Sequence, residues 1–300
     1  MHIPSEMLTG PICPITAAIA ATGIGGAAVS MFGKKSAVRS AAKFALVAAL
    51  VFGLQMLNYP IWNGVSAHLI GGVLAASLLG TAGGVLAVAL VLTVQTLMFA
   101  DGGILMLGAN IFNMAVIGAG FGGWLRSHLI KRGASASLAT GIAAAASVEA
   151  AAAATGLELA IGCADSSAAL GTLLGVHAAV AVVEGVATAL LVKVCAFEET
   201  GADVAAESKR PYAVVAGLIL ACVLAAHFAS PFPDAFEWTM EKFSMLPDAP
   251  NFAHAPIPDY EIASVSSDYL KVAFAAIAGI ATVIAAGFAL VAAPLAVRRK

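Results

Sequence analysis

Charge is scarce in this sequence. Of 300 residues only 11% are Asp, Glu, Lys or Arg, against 61% that are hydrophobic, and the mean hydropathy is +0.96. A water-soluble domain has no way to cover that much apolar surface with so few ionised groups, so lipid is the expected solvent for most of the chain. Cysteine is scarce too: Cys13, Cys163, Cys195 and Cys222 lie on different segments with no CxxC pair, which argues against a thiolate metal site or a disulfide framework. Residues 1–10 lack the basic start of a signal peptide, and Pro4, Pro11 and Pro14 interrupt the opening, so Met1 is expected to stay on the mature chain. A GxxxxGK[ST] loop is absent, so the chain is not expected to hydrolyse ATP. HExxH and similar constellations are absent as well, which argues against a membrane metalloenzyme.

What is there is a series of long apolar segments. A spanning helix needs about 20 apolar residues, and nine candidates occur, at roughly 12–32, 41–58, 67–82, 84–100, 107–128, 136–161, 170–195, 212–229 and 270–294. The third and fourth are short and meet at Gly80-Thr81-Ala82-Gly83-Gly84, where they could be misread as one helix. Charge distribution separates them. With nine crossings and the N-terminus outside, 13 of the 15 Lys and Arg residues fall on the cytoplasmic side, Lys242 and Lys271 being the exceptions. The expected fold class is therefore an all-α integral membrane protein of about nine transmembrane helices, N-terminus outside and C-terminus cytoplasmic. Its spans are rich in Ala and Gly, which lets helices approach closely in lipid; such faces suit a compact bundle or the docking of another membrane subunit. Residues 230–268 hold six of the twelve prolines and seven acidic residues with one lysine. They read as an external loop within an appended unit. The expected organisation is a seven-helix unit over 1–197, a cytoplasmic linker over 198–210, and a two-helix module over 211–300.

Polar side chains inside lipid are costly, so several at one depth mark a site. Gln55 and Asn58 close the second expected span, Asn63 follows in the loop, and His68 opens the third. Gln95 lies near the outer end of the fourth, Asp101 follows it, and Asn110 and Asn113 begin the fifth. These include every Gln and four of the five Asn of the chain. Singly, His68 reads more readily as an interfacial residue than as a ligand, and Asn110 with Asn113, at i and i+3, reads equally as one helix–helix hydrogen bond. Together they point to a polar chamber on the side of the N-terminus.

That terminus, Met1-His2-Ile3-Pro4, has its own chemistry. The terminal amine, the amide nitrogen of His2 and its imidazole Nδ1 can close two fused chelate rings on one metal, with His68 as candidate fourth nitrogen. A square-planar all-nitrogen set selects Ni(II) or Cu(II) over tetrahedral Zn(II) and oxygen-seeking Mg(II) or Ca(II). Pro4 restricts the segment. Ligation needs a neutral imidazole and a deprotonated amine, so binding is expected to weaken as pH falls. A disordered terminus is the competing reading.

The same residues carry a resemblance. Met1-His2-Ile3-Pro4, Gln55-Met56-Leu57-Asn58-Tyr59-Pro60-Ile61, Gly64-Val65-Ser66-Ala67-His68-Leu69-Ile70-Gly71-Gly72, Phe99-Ala100-Asp101-Gly102-Gly103 and Leu107–Ala115 resemble, in order, the NikM/CbiM family over about residues 1–196. These are substrate-binding S components of energy-coupling factor importers for nickel and cobalt. The resemblance implies Met1, His2 and His68 as metal ligands, and Gln55, Asn58, Asn63, Gln95, Asp101, Asn110 and Asn113 as groups that orient them. His177 and Glu184, seven apart on one helical face, resemble a His/Glu pair of that family and read as a buried structural pair or as part of a metal passage. The tail resembles the NikN-type partner, with Pro233-Asp234-Ala235-Phe236-Glu237-Trp238 where that family usually has Pro-Asp-Gly-Leu-Glu; the module's identity carries over, but no functional residue from it does. Implied is a multi-pass protein of a bacterial or archaeal cytoplasmic (inner) membrane. Its cargo would be Ni(II), or alternatively Co(II) for cobalamin synthesis, with no organic cofactor. Its partners would be a transmembrane coupling (T) subunit, ATPase (A) subunits and membrane lipid, with no nucleic acid. A stand-alone carrier driven by an ion gradient is the reading from another class; it would place its site at the midplane on broken helices.

Overall fold

The computed structural model describes residues 2–4, 6–33, 40–62, 64–163, 167–195, 209–246 and 255–298. Met1 and Asn63, both expected at the site, lie outside them, as does most of the expected linker. The chain is a helical bundle. Its elements are α1 (Ile12–Phe32), α2 (Ala41–Gln55), a hairpin of β1 (Tyr59–Trp62) and β2 (Val65–Ala67), α3 (Gly72–Leu79), and α4 (Thr81–Val94), which runs on into a π-helical turn (Gln95–Phe99). Then come α5 (Leu107–Asn110), a π-helical stretch (Ile111–Phe121), α6 (Gly122–Lys131), α7 (Ala136–Gly162) and α8 (Ser167–Val194). The C-terminal part holds α9 (Arg210–Ala225), the short α10 (Ala235–Lys242), a 3₁₀ turn (Pro258–Tyr260) and α11 (Asp268–Arg298).

Six helices among the described residues are long and apolar enough to cross a membrane: Ile12–Phe32, Thr81–Phe99, Ala136–Gly162, Ala168–Val194, Arg210–Phe228 and Asp268–Pro294. Helix α2 is a shorter apolar helix. The expected third span is corrected. Helix α3 has eight residues, roughly 12 Å at about 1.5 Å per residue, against the ~30 Å of a bilayer core. All but Ser77 are buried in the bundle, and His68 lies ahead of the helix rather than at its start. Gly80, at φ +78° and ψ 159°, breaks the path between α3 and α4 in a conformation that residues with a Cβ resist. The expected second span ends early as well, at Gln55, so Asn58 lies past the helix. The small antiparallel hairpin, with Tyr59 facing Ala67 and Pro60 facing Ser66, is a departure from the all-α expectation.

The core gathers on α2, whose Val47–Phe52 are wholly buried, with α3, α4, α9 and α11 packed around it. Helix α8 shows why the bundle suits lipid. Val182, Val186 and Leu190 form an exposed apolar stripe, whereas His177, Val180, Ala181, Glu184 and Thr188 face inward, as the helical period dictates. Cys13 and Cys163 are half-buried, and Cys195 and Cys222 are buried.

Candidate metal centre

Several chain segments bring most of the site residues to one end of the bundle. Residues 2–4 thread between them and are held by their backbone. The Ile3 N–H donates to Asn110 Oδ1 at 2.8 Å, Asn110 Nδ2 donates back to Ile3 O at 3.2 Å, and the Gly103 N–H donates to the same carbonyl at 3.2 Å. The side-chain amide of Asn110 thus reads Ile3 as a neighbouring strand would. Ile3 itself is wholly buried, in a cluster with Met7, Leu8, Met106, Phe236 and Met240. Gly102, at φ +76°, passes so close that a Cβ there would sit 2.6 Å from Asn110 Nδ2 and 3.7 Å from the His2 Cβ. The Asp101-Gly102-Gly103 sequence therefore has a steric reason.

This anchoring presents His2 to His68. Their rings stack with centroids 5.3 Å apart and planes at 16°. Each ring has a carboxylate beside it. His2 Nδ1 lies 2.8 Å from Asp101 Oδ1, and His68 Nε2 lies 3.8 Å from Asp234 Oδ2. His68 Nδ1 faces its neighbour's carbonyl, Leu69 O, at 3.2 Å; with the proton placed there, Nε2 is the nitrogen with a lone pair to give. His2 is the opposite case. Its Nδ1, the atom expected to chelate, is engaged by Asp101, so ligation through it requires that carboxylate to release it. Burial opposes ionisation of Asp101, but His2 and the Tyr260 hydroxyl bonded to it hold its pKa down to about 2. Burial and that carboxylate in turn keep the Tyr260 phenol protonated, its pKa well above the usual value.

The loop bearing His68 is fixed behind the ring. Gln55 Nε2 donates to Ile70 O at 2.8 Å. Glu184 on α8, 1% exposed, accepts the Ile70 N–H on one oxygen at 2.7 Å and the Gly71 N–H on the other at 2.9 Å. Two charge-assisted bonds thus hold the loop at the start of α3. His177 has a different partner: its Nδ1 bonds Leu173 O at 2.7 Å, and its ring lines a narrow cleft with His68 and Asp234. The pair shares a face, as its spacing implies, but Glu184 serves the loop. Replacing Glu184 by Gln sets an amide NH₂ against one of two backbone N–H groups. We expect a destabilisation of about 1–3 kcal/mol, read as a lower thermal midpoint of the purified chain; an unchanged midpoint would remove the anchor role.

The remaining expected residues divide. Asn113 belongs elsewhere: its Nδ2 donates to Glu158 Oε2 at 2.7 Å and Thr155 Oγ1 at 3.1 Å, tying the π-helical stretch to α7. Gln95 is fully buried at the start of the first π-helical turn. Asn58 lines the cavity of about 830 Å³ that opens beside His2 and His68, and its carbonyl accepts the Ser230 N–H. Two residues of the C-terminal part, Asp234 and Tyr260, were not expected here. The available signal was local: Asp234 and Glu237 have the spacing of a capping box, which the structure forms at the start of α10. Burial opposes ionisation of Asp234 as well, yet its surroundings, the His68 ring and the Glu237 N–H among them, hold its carboxyl well below the usual range. Its proximity and burial push Glu237 up to about 7.

Fold and site together define a multi-pass helical membrane protein that gathers two imidazoles and two carboxylates in one partly buried place beside an open cavity. Residues 2–198 match the model of the cobalt uptake substrate-specific transmembrane region, CbiM, and the chain belongs to that family. It is 36% identical over 296 residues, 97% of this chain and 98% of the other, to a protein of Archaeoglobus fulgidus described as a fused nickel transport protein, NikMN. With the cobalt transport protein CbiM of Sorangium cellulosum it shares 38% identity over 119 residues, 39% of this chain and 52% of that one. The crystal structure of a truncated transition metal transporter is similar, with a TM-score of 0.57 and 31% identity, over 65% of this chain and 97% of the other.

Proposed function

We propose that this chain is the membrane-embedded substrate-binding component of an energy-coupling factor importer, capturing Ni(II) through the Met1 amine, the His2 amide and imidazole nitrogens, and His68. The observation that carries the reading is the stacked pair. Two imidazoles on one ion, at metal–nitrogen distances of about 2 Å, have centroids roughly 4–6 Å apart, and the 5.3 Å between His2 and His68 falls inside that range. Among the described residues no group of three or more His, Cys, Asp or Glu side chains is arranged to hold a metal ion. A donor set drawn partly from backbone nitrogens answers that shortage, and such a set imposes the planar geometry that favours Ni(II). The fused relative described as a nickel transporter supports the same cargo; Co(II) is the second reading, favoured by the family's cobalt-uptake members. The topology that goes with it places the N-terminus and the metal centre on the outer face of the membrane. Transport energy would come from ATPase subunits through a transmembrane coupling subunit docked on small-residue helix faces. Titrating the purified chain with Ni(II) and with Co(II) by calorimetry tests this. Stoichiometric, tighter binding of Ni(II), with the absorption of a square-planar complex, is expected. Tighter Co(II) binding would reassign the cargo, and binding of neither ion would remove the site.

A further inference from the structure

The C-terminal part touches the candidate metal centre at three points. First, it docks by its backbone on the strand that leads to His68. The Ser66 N–H donates to Pro233 O at 2.9 Å, and Ser66 Oγ donates to Phe232 O at 2.7 Å, so residues 232–234 run beside β2 as a short parallel pairing of Ser66 with Asp234. Second, α10 presses Phe236 and Met240 into the apolar cluster that holds Ile3, next to His2. Third, Tyr260 donates its hydroxyl to Asp101 at 2.5 Å, the carboxylate that engages His2. Tyr260 is held there by stacking on Phe99, with centroids 4.4 Å apart and planes at 10°. The appended part thus reaches both imidazoles.

Asp234 is the end point of the first two contacts. It caps α10, accepting the N–H groups of Phe236 at 2.8 Å and Glu237 at 2.9 Å through Oδ1. Its other oxygen, Oδ2, lies on the Nε2 face of His68. The cap fixes the carboxylate, and the Ser66 pairing fixes the cap relative to His68. A dication held by neutral nitrogens and one amide anion keeps a net positive charge, which favours carboxylates beside it: Asp101 stands on the His2 side and Asp234 on the His68 side.

We propose that Asp234 is a positioning residue of the metal site, supplying from the C-terminal module a counter-charge to the cation bound beside His68. This rests on the metal-site reading above. It makes the module an integral part of ion capture, not only a stabilising neighbour.

Asn is as good a helix cap as Asp, so Asp234→Asn removes the charge and leaves the start of α10 intact. In the purified full chain, the Ni(II) dissociation constant of Asp234→Asn is expected to rise about 10- to 100-fold, the range seen for groups that support metal ligands from behind. The thermal midpoint without added metal and the position of the Ni(II) absorption band are expected to stay as in the natural chain. Asp259→Asn, which removes a carboxylate lining the same cavity, serves as the control for general charge and is expected to bind normally. Unchanged affinity in Asp234→Asn, or an equal loss in Asp259→Asn, overturns the proposal and leaves the metal site standing. A shifted band makes Asp234 a direct ligand and overturns it too. Should Asp234→Asn unfold, Asp234→Ser, which also caps, replaces it with the same expected outcomes. Absence of Ni(II) and Co(II) binding in the natural chain would instead refute the metal-site reading.

Discussion

His68→Ala is expected to raise the Ni(II) dissociation constant at least about 100-fold, roughly 2.8 kcal/mol, while the protein keeps its fold. The two halves of that expectation come from different contacts. The fold of the 66–72 loop is held without the ring: Gln55 bonds Ile70 O, Glu184 bonds the Ile70 and Gly71 N–H groups, and Ser66 pairs with Pro233. What the ring contributes is Nε2, with the Nδ1 side turned to Leu69 O, and the face stacked on His2. Removing it takes one nitrogen from the proposed square plane and leaves the loop's anchors in place. Calorimetric titration of the variant, with a thermal midpoint measured beside it, checks both. Near-normal affinity would move the fourth ligand elsewhere, with His177, which lines the same cleft, as the first candidate.

The polar residues that converge in the structure were legible because lipid makes polarity conspicuous. In an apolar chain, Gln55, Asp101 and Asn110 stand out one by one, and the ends of adjacent spans put them at one depth. Their partners were less legible. Asn110 and Asn113 look alike in the sequence, at i and i+3, yet one clamps Ile3 and the other reaches Glu158 on α7. The cause is the change to π-helical winding at Ile111, which alters the angle between successive side chains and which hydropathy does not register. The same blindness applies to α3. Its eight residues are as apolar as a crossing helix, and only the break at Gly80 and their burial against other helices show that they are core. Asp234 is the most instructive case. Its local signal, a capping box ahead of an amphipathic turn, was present, but what the other carboxylate oxygen faces depends on a strand pairing made far along the chain, which no local pattern encodes. The family resemblance helped with the residues that its motifs cover and was silent on this one, because the appended part was carried over as a module without residue roles.

Adding a single residue ahead of Met1 is expected to weaken Ni(II) binding by about 1,000-fold or more, ~4 kcal/mol, a larger effect than any side-chain change at the site. The extension converts a primary amine into a secondary amide at the same position, so the ring between the amine and the His2 amide nitrogen is lost along with the ligand. A looser segment would compensate by sliding one residue inward. Here sliding is blocked: Ile3 is wholly buried and bonded at both its N–H and its C=O, by Asn110 and Gly103. The register of His2 is thereby fixed from residue 3 outward. Because Ile3 and Asn110 are untouched, the thermal midpoint is expected to hold. Undiminished calorimetric binding by the extended chain would show that the amine is not a ligand, and the planar all-nitrogen set, with the preference for Ni(II) that it imposes, would fall with it.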